Sequence, residues 1–143
     1  MKCILIAFAL IFISDTPSKV SKTDLICQKW IEVGLKVFGK EYRTVDKQSA
    51  EILSFHKNGT LEKELYGNLK FKGLWKFSND SNKIAIEWTE LNANPLRNTP
   101  INKVKPTDSI LKLSADTMIL GTLKQYGDLR IHGHDDRYFV KMR

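Results

Sequence analysis

The sequence predicts an all-β protein, a single antiparallel up-and-down β-barrel of about eight strands that follows a cleavable N-terminal signal peptide. Three observations predict it. Apolar and polar residues alternate with period two through most of the chain, as half-buried strands require. Tight-turn signals punctuate those runs at Asn58-Gly59, Gly67-Asn68 and Ser78 to Asn82. No segment from residue 30 to residue 143 keeps a helical period.

The chain of 143 residues fits one domain, with 42% hydrophobic and 27% charged residues. Met1-Lys2 precedes the apolar run Cys3 to Ile13, which has the length of a signal-peptide core and is too short to span a bilayer. The expected division is therefore 1–20 signal peptide and 24–143 barrel. No transmembrane span is expected in the mature chain, and export to the periplasm, cell surface or medium is. Cys3 leaves with the leader, so Cys27 stands alone and no intramolecular disulfide is expected. The formal net charge is +7, and +6 once Lys2, Asp15 and Lys19 are removed. The lysines are spread along the chain and read as a solvated surface.

Taken in order, Lys29 to Phe38 alternates, with Ile31, Val33, Leu35 and Val37 on one face and Trp30, Glu32, Gly34, Lys36 and Phe38 on the other. Leu25 to Trp30 is an alternative short helical turn that would plug the barrel end. Ala50 to His56 is the next long strand. Asn58-Gly59 then predicts a two-residue type I′ hairpin into Thr60 to Tyr66, because Asn-Gly tolerates positive φ at both central positions. Lys70 to Phe77 places Phe71, Gly73, Trp75 and Phe77 inward, and Lys83 to Glu90 does the same for Ile84, Ile86 and Trp88.

Leu91 to Asp108 interrupts the pattern with Pro95, Pro100 and Pro106 and reads as an 18-residue loop, long enough to be a lid or contact surface. Ser109 to Leu113 and Thr117 to Leu123 form a hairpin across Ser114-Ala115-Asp116. Gln125 to Asp136 reads as polar, and Arg137 to Met142 closes the chain, with Tyr138, Val140 and Met142 on one face.

Four pieces of the chain resemble the small bacterial lipocalin-like domain proteins. They are Lys29-Trp30-Ile31-Glu32-Val33, Ile52 to Thr60 with its Phe-x-x-Asn-Gly-Thr hairpin, Gly73-Leu74-Trp75-Lys76-Phe77, and Ile110 to Leu120. The Gly-x-Trp of lipocalins proper reads Gln28-Lys29-Trp30 here. The resemblance covers about residues 25 to 143 and implies an exported single barrel.

Chemistry-bearing motifs are sparse. His132-Gly133-His134-Asp135-Asp136 is the one metal-like cluster and reads as a polar turn, so no metal and no cofactor are expected. No nucleophile motif occurs, and the protein is expected not to be an enzyme. Lysines interleave with aromatics along Lys70 to Phe77, but alternation sends them to opposite faces, which disfavours a nucleic-acid platform. The expected function is binding of a small hydrophobic molecule inside the barrel, by Phe55, Phe71, Gly73, Trp75, Phe77, Ile86 and Trp88. The alternative is a filled barrel, which touches an envelope protein through the 91–108 loop. A monomer is expected in either case.

Overall fold

The computed structural model describes residues 20–37, 39–95, 107–126 and 131–143. The leader expected over 1–20 lies outside them except for its last residue. Helix α1 (Lys22–Ile26) is followed by β1 (Lys29–Val37), β2 (Glu41–Thr44), β3 (Ile52–Phe55), β4 (Thr60–Leu65) and β5 (Leu69–Phe77). Then come β6 (Lys83–Leu91), β7 (Asn94–Pro95), β8 (Thr107–Leu113), β9 (Thr117–Tyr126) and β10 (Ile131–Lys141).

All pairings are antiparallel, in the order β10-β9-β8-β6-β5-β4-β3-β1, and β10 pairs back onto β1 to close the ring. The result is a closed eight-stranded antiparallel barrel, as the alternation and turns predict. Two short strands lie off the ring. β1 pairs β3 through Lys29 to Ile31 and β2 through Gly34 to Val37. β6 likewise pairs β8 at one end and β7 at the other.

Bulges set which side chains point inward. In β1 the register shifts between Glu32 and Gly34, so Glu32 faces Phe139 and Leu35 faces Arg137. Phe139 and Arg137 share a face, so Trp30, Glu32 and Leu35 all turn inward. The unbroken alternation expected for this strand therefore fails at the bulge, because one extra residue reverses the phase beyond it. Gly34 turns out and lies beneath the Tyr42 ring, which a Cβ there would strike. Further shifts lie between Lys72 and Gly73 of β5 against β6, and between Ile110 and Lys112 of β8.

The turns divide the barrel into two ends. At one end α1 folds across the ring; it lies earlier than the turn expected at Leu25 to Trp30, ending at Ile26, and Lys29 and Trp30 already belong to β1. Ser21 caps it, its hydroxyl accepting from Asp24 N–H at 3.0 Å. Ile26 is fully buried, and its carbonyl accepts the Trp30 indole N–H at 2.9 Å. Lys22 donates to the Ser81 carbonyl at 3.1 Å, and Lys57 pairs with Asp24, so α1 is tied to two turns of this end.

The other end carries the turns at Tyr66-Gly67 and Asn92-Ala93. Both have positive φ at both central residues, at 53° and 67° and at 47° and 63°. Both have the φ signs of a type I′ turn. The one expected at Asn58-Gly59 does not form, since only Gly59 has positive φ, at 83°. There the Gly59 N–H reaches the His56 carbonyl at 3.0 Å, and Asn58 Oδ1 accepts from the Thr60 N–H at 3.0 Å and from its hydroxyl at 2.7 Å. The Asn58 side chain thus holds a longer turn in which Gly59 alone is left-handed.

Two further expectations are corrected. Leu91 belongs to β6, Asn92-Ala93 turns tightly, and Asn94–Pro95 runs back along it, so the long loop opens as a hairpin. Pro95 occupies a strand off the ring, where its missing N–H costs no ring hydrogen bond. Thr107 and Asp108 already lie in β8, and residues 96–106 of the loop lie outside the described residues. The last strand begins at Ile131, six residues before Arg137, because backbone pairing from Ile131↔Tyr126 onward needs no apolar side chains. Its Tyr138 and Val140 face outward, and Phe139 is the fully buried residue.

Tyr66 bears a left-handed strain that Asn tolerates better. Tyr66→Asn is expected to raise the unfolding free energy by about 1 kcal/mol, read as a higher urea midpoint with an unchanged slope. An unchanged or lower midpoint contradicts this assignment of the turn.

Candidate functional site

All seven residues predicted to line the interior do point inward, but they fall in two zones. Towards α1 the barrel is solid. Trp30, Leu61, Ile84, Met118, Leu120 and Phe139 have 0% accessible surface. A side chain with no accessible surface touches neither bulk solvent nor a void large enough for water. Phe55, Trp75, Phe77 and Ile86 belong to this floor. Phe55 and Trp75 meet edge to face at 5.3 Å, as do Trp75 and Phe77. The Trp75 indole N–H donates to the His56 carbonyl at 3.1 Å.

Gly73, Phe71 and Trp88 lie at the upper boundary of the floor. A Cβ on Gly73 would come within 2.6 Å of the Glu87 carbonyl oxygen and 3.0 Å of Trp88 Cε3. The glycine therefore makes room for the neighbouring strand and the Trp88 ring. That ring meets Phe71 edge to face at 5.7 Å.

Above the floor lies a layer that sequence reading missed. Arg137 spans the interior, with Nε 3.0 Å from Glu32 Oε1 and Nη2 3.0 Å from Glu51 Oε2. Glu32 is 8% exposed and Glu51 7%. Burial disfavours the guanidinium charge, yet Glu51 and Glu32 outweigh it and raise the Arg137 pKa above its ordinary value. Lys63 joins from the facing wall. Its Nζ is 3.9 Å from Glu51 Oε2, 4.7 Å from the centre of the Phe71 ring and 4.6 Å from that of Trp88. These are cation–π distances. Burial pushes the Lys63 pKa down, with Glu51 opposing. Lys63 is thus an exception to the solvated-lysine expectation.

Asp108 of β8 faces the same layer and is 8% exposed. Burial raises its pKa, opposed first by the Thr122 hydroxyl beside it and then by Arg137. Yet Asp108 Oδ1 and Thr122 Oγ1 each lack a partner with hydrogen-bonding geometry among the described residues. Asp135, on β10 opposite Thr122, is 1% exposed.

The third zone is the end away from α1. Leu35, Leu65, Leu69, Phe71 and Leu91 point inward but stay half-buried. Apolar side chains aimed at the axis yet wet on one side line an opening. A separate groove of about 540 Å³ lies between residues 47–50 and Tyr66-Gly67, with Ile52 and Glu64 in its wall. The barrel is therefore closed and apolar at one end, charged in the middle and apolar at its mouth.

The other grooves lie on the outside. One of about 260 Å³ crosses β3 to β5, where Glu62 faces Lys72 and Glu64 faces Lys70 in register, so its charges are paired across the strands. Cys27 is a free thiol packed against the core, its pKa raised by burial. The side chains of His132 and His134 lie outside the described residues. Among those that are described, no group of three metal-ligating side chains occurs, and no helix is long and apolar enough to cross a membrane.

The missed residues carry one signal. Glu32 is two residues from Trp30, Glu51 two from Leu53, Lys63 two from Leu61, Asp108 two from Ile110 and Arg137 two from Phe139. Each charge is in phase with an inward apolar side chain.

No family model matches the chain, and no curated protein does. Among solved structures it is similar to an NMR structure of a protein from Burkholderia xenovorans, with 11% identity and a TM-score of 0.44 over 85% of this chain and 86% of that one.

Two variants test this geometry. Arg137→Met removes the cation shared by two buried carboxylates, leaving Glu32 without one and Glu51 with Lys63 alone among the described residues, and is expected to cost about 3–5 kcal/mol. Adding Glu32→Gln and Glu51→Gln should recover much of that loss, and a triple variant no more stable than the single one contradicts the network. Asp108 has a folded-state pKa above its unfolded value, so its carboxylate lowers stability at neutral pH and this effect fades as pH falls through the folded pKa. Asp108→Asn should therefore be more stable than wild type at pH 7 and lose that advantage in acid. A difference independent of pH would contradict it.

Proposed function

We propose that this chain is an exported, non-enzymatic, lipocalin-like barrel that binds a small, largely apolar ligand through its open end. The supporting observation is the set of inward yet half-buried apolar residues at one end, above a layer of buried charge. The ligand's apolar part would lie against Leu65, Leu69, Phe71 and Leu91, and its polar end would meet the charged layer. The solid floor argues against a ligand lodged deep among Phe55, Trp75 and Ile86. The refined site thus keeps Phe71 and Trp88 and moves the rest towards the mouth. The apolar run at Cys3 to Ile13 supports export, and the resemblance to bacterial lipocalin-like proteins points the same way.

Titrating the mature protein with medium-chain alcohols while following tryptophan emission tests this reading. A saturable change is expected, since Trp88 borders the site. Leu91→Arg, at the mouth, should weaken binding about tenfold or more while leaving the fold intact by circular dichroism. No saturable change with any chain length, or binding unaffected by Leu91→Arg, would overturn it.

A further inference from the structure

Around Asp108 the charges are unevenly matched. Glu32, Glu51 and Asp108 are buried acids, whereas Lys63 and Arg137 are the bases that act on them among the described residues. Arg137 is committed to Glu32 and Glu51, and the nearest carboxylate to Lys63 is again Glu51. Neither base forms an ion pair with Asp108 among those described. Its Oδ1 has no hydrogen-bond partner among the described residues, the Thr122 hydroxyl beside it meets none of good geometry either, and a buried carboxylate in that state is costly.

We propose that Asp108 and Thr122 form the head-group subsite of the barrel, and that the head group is an organic ammonium. This inference rests on the ligand-binding reading above and gives the class of ligand. An ammonium supplies up to three donors and one positive charge, which is what the buried Asp108 carboxylate lacks, while the Thr122 hydroxyl can accept from the ammonium and still donate to Asp108. An anionic head group would instead add charge of the majority sign. A metal ion is a poorer fit, because one carboxylate and one hydroxyl fall short of a coordination shell and no three histidine, cysteine or carboxylate side chains come together among the described residues. The half-buried apolar mouth takes the alkyl or aryl part of the amine.

The groups that face Asp108 also set the pH dependence. Arg137 of β10, Glu51 of β3 and Lys63 of β4 act on it through space, Thr122 of β9 lies beside it, and Asp135 lies across from Thr122. Burial raises the Asp108 pKa, so an ammonium meets an ionised partner only above that pKa. Its affinity therefore falls as the solution is made acidic, although the amine itself stays protonated.

The experiment compares hexylamine, hexan-1-ol and hexanoate, which share a tail and differ in the head, on the full mature protein by calorimetry. Hexylamine is expected to bind about tenfold or more tighter than hexan-1-ol, and hexanoate more weakly than either. Asp108→Asn should bring hexylamine down to the level of hexan-1-ol without changing hexan-1-ol, and should remove the acid dependence. Thr122→Val, which loses the second acceptor but no charge, should weaken hexylamine more than hexan-1-ol. Hexylamine binding no tighter than hexan-1-ol, or unchanged in Asp108→Asn, would overturn the head-group assignment and leave the ligand-binding barrel standing. Binding of none of the three would overturn both.

Discussion

The interior of this barrel is organised around one guanidinium. Arg137 reaches from the last strand to Glu32 of the first strand and Glu51 beside the third, and so ties the seam where the ring closes to the strand next to it. Two irregularities serve this contact. The β1 bulge comes directly after Glu32, and Glu51 stands at the end of the break between β2 and β3, where its carbonyl accepts the Glu32 N–H at 2.9 Å. A buried ion network of this kind is rarely more stable than apolar packing of the same volume, yet it is expensive to break.

The charged layer divides the barrel by chemistry. Below it, fully buried side chains and interlocked aromatic rings leave no space for a guest, and Gly73 allows two strands and the Trp88 ring to approach. Above it, inward leucines stay partly wet. Helix α1 accounts for part of the asymmetry, because it covers one end and is tied there by Lys22 and the Asp24–Lys57 pair. The end away from α1 is thus the partly wet one, apolar at its rim and charged beneath.

Much of the fold was legible in the sequence, because period-two alternation is a direct consequence of strand geometry. The inward placement of Phe71, Gly73, Trp75, Phe77, Ile84, Ile86 and Trp88 follows from it, and so does the number of strands in the ring. What alternation cannot show is a bulge, since the extra residue carries no compositional mark, so unbroken alternation gives the wrong phase for β1 beyond Glu32. Turn type also escaped, because the Asn58 side chain found a better partner in Thr60 than the type I′ geometry offers. The charged layer escapes sequence patterning because a lysine or glutamate within a strand is ordinarily solvated. Glu32, Glu51, Lys63 and Arg137 are each in phase with a core residue, and that phase was the available evidence.

The central claim is that a ligand occupies the mouth and the charged layer and does not penetrate the floor. Backbone and indole N–H chemical shifts recorded during a titration with hexylamine test it most directly. The account predicts saturable shifts at Lys63, Leu65, Phe71, Trp88 and Asp108, with the indole signals of Trp30 and Trp75 unmoved. Shifts centred on Trp30, Phe55 and Trp75, or confined to the outer face of β4 and β5, would contradict it.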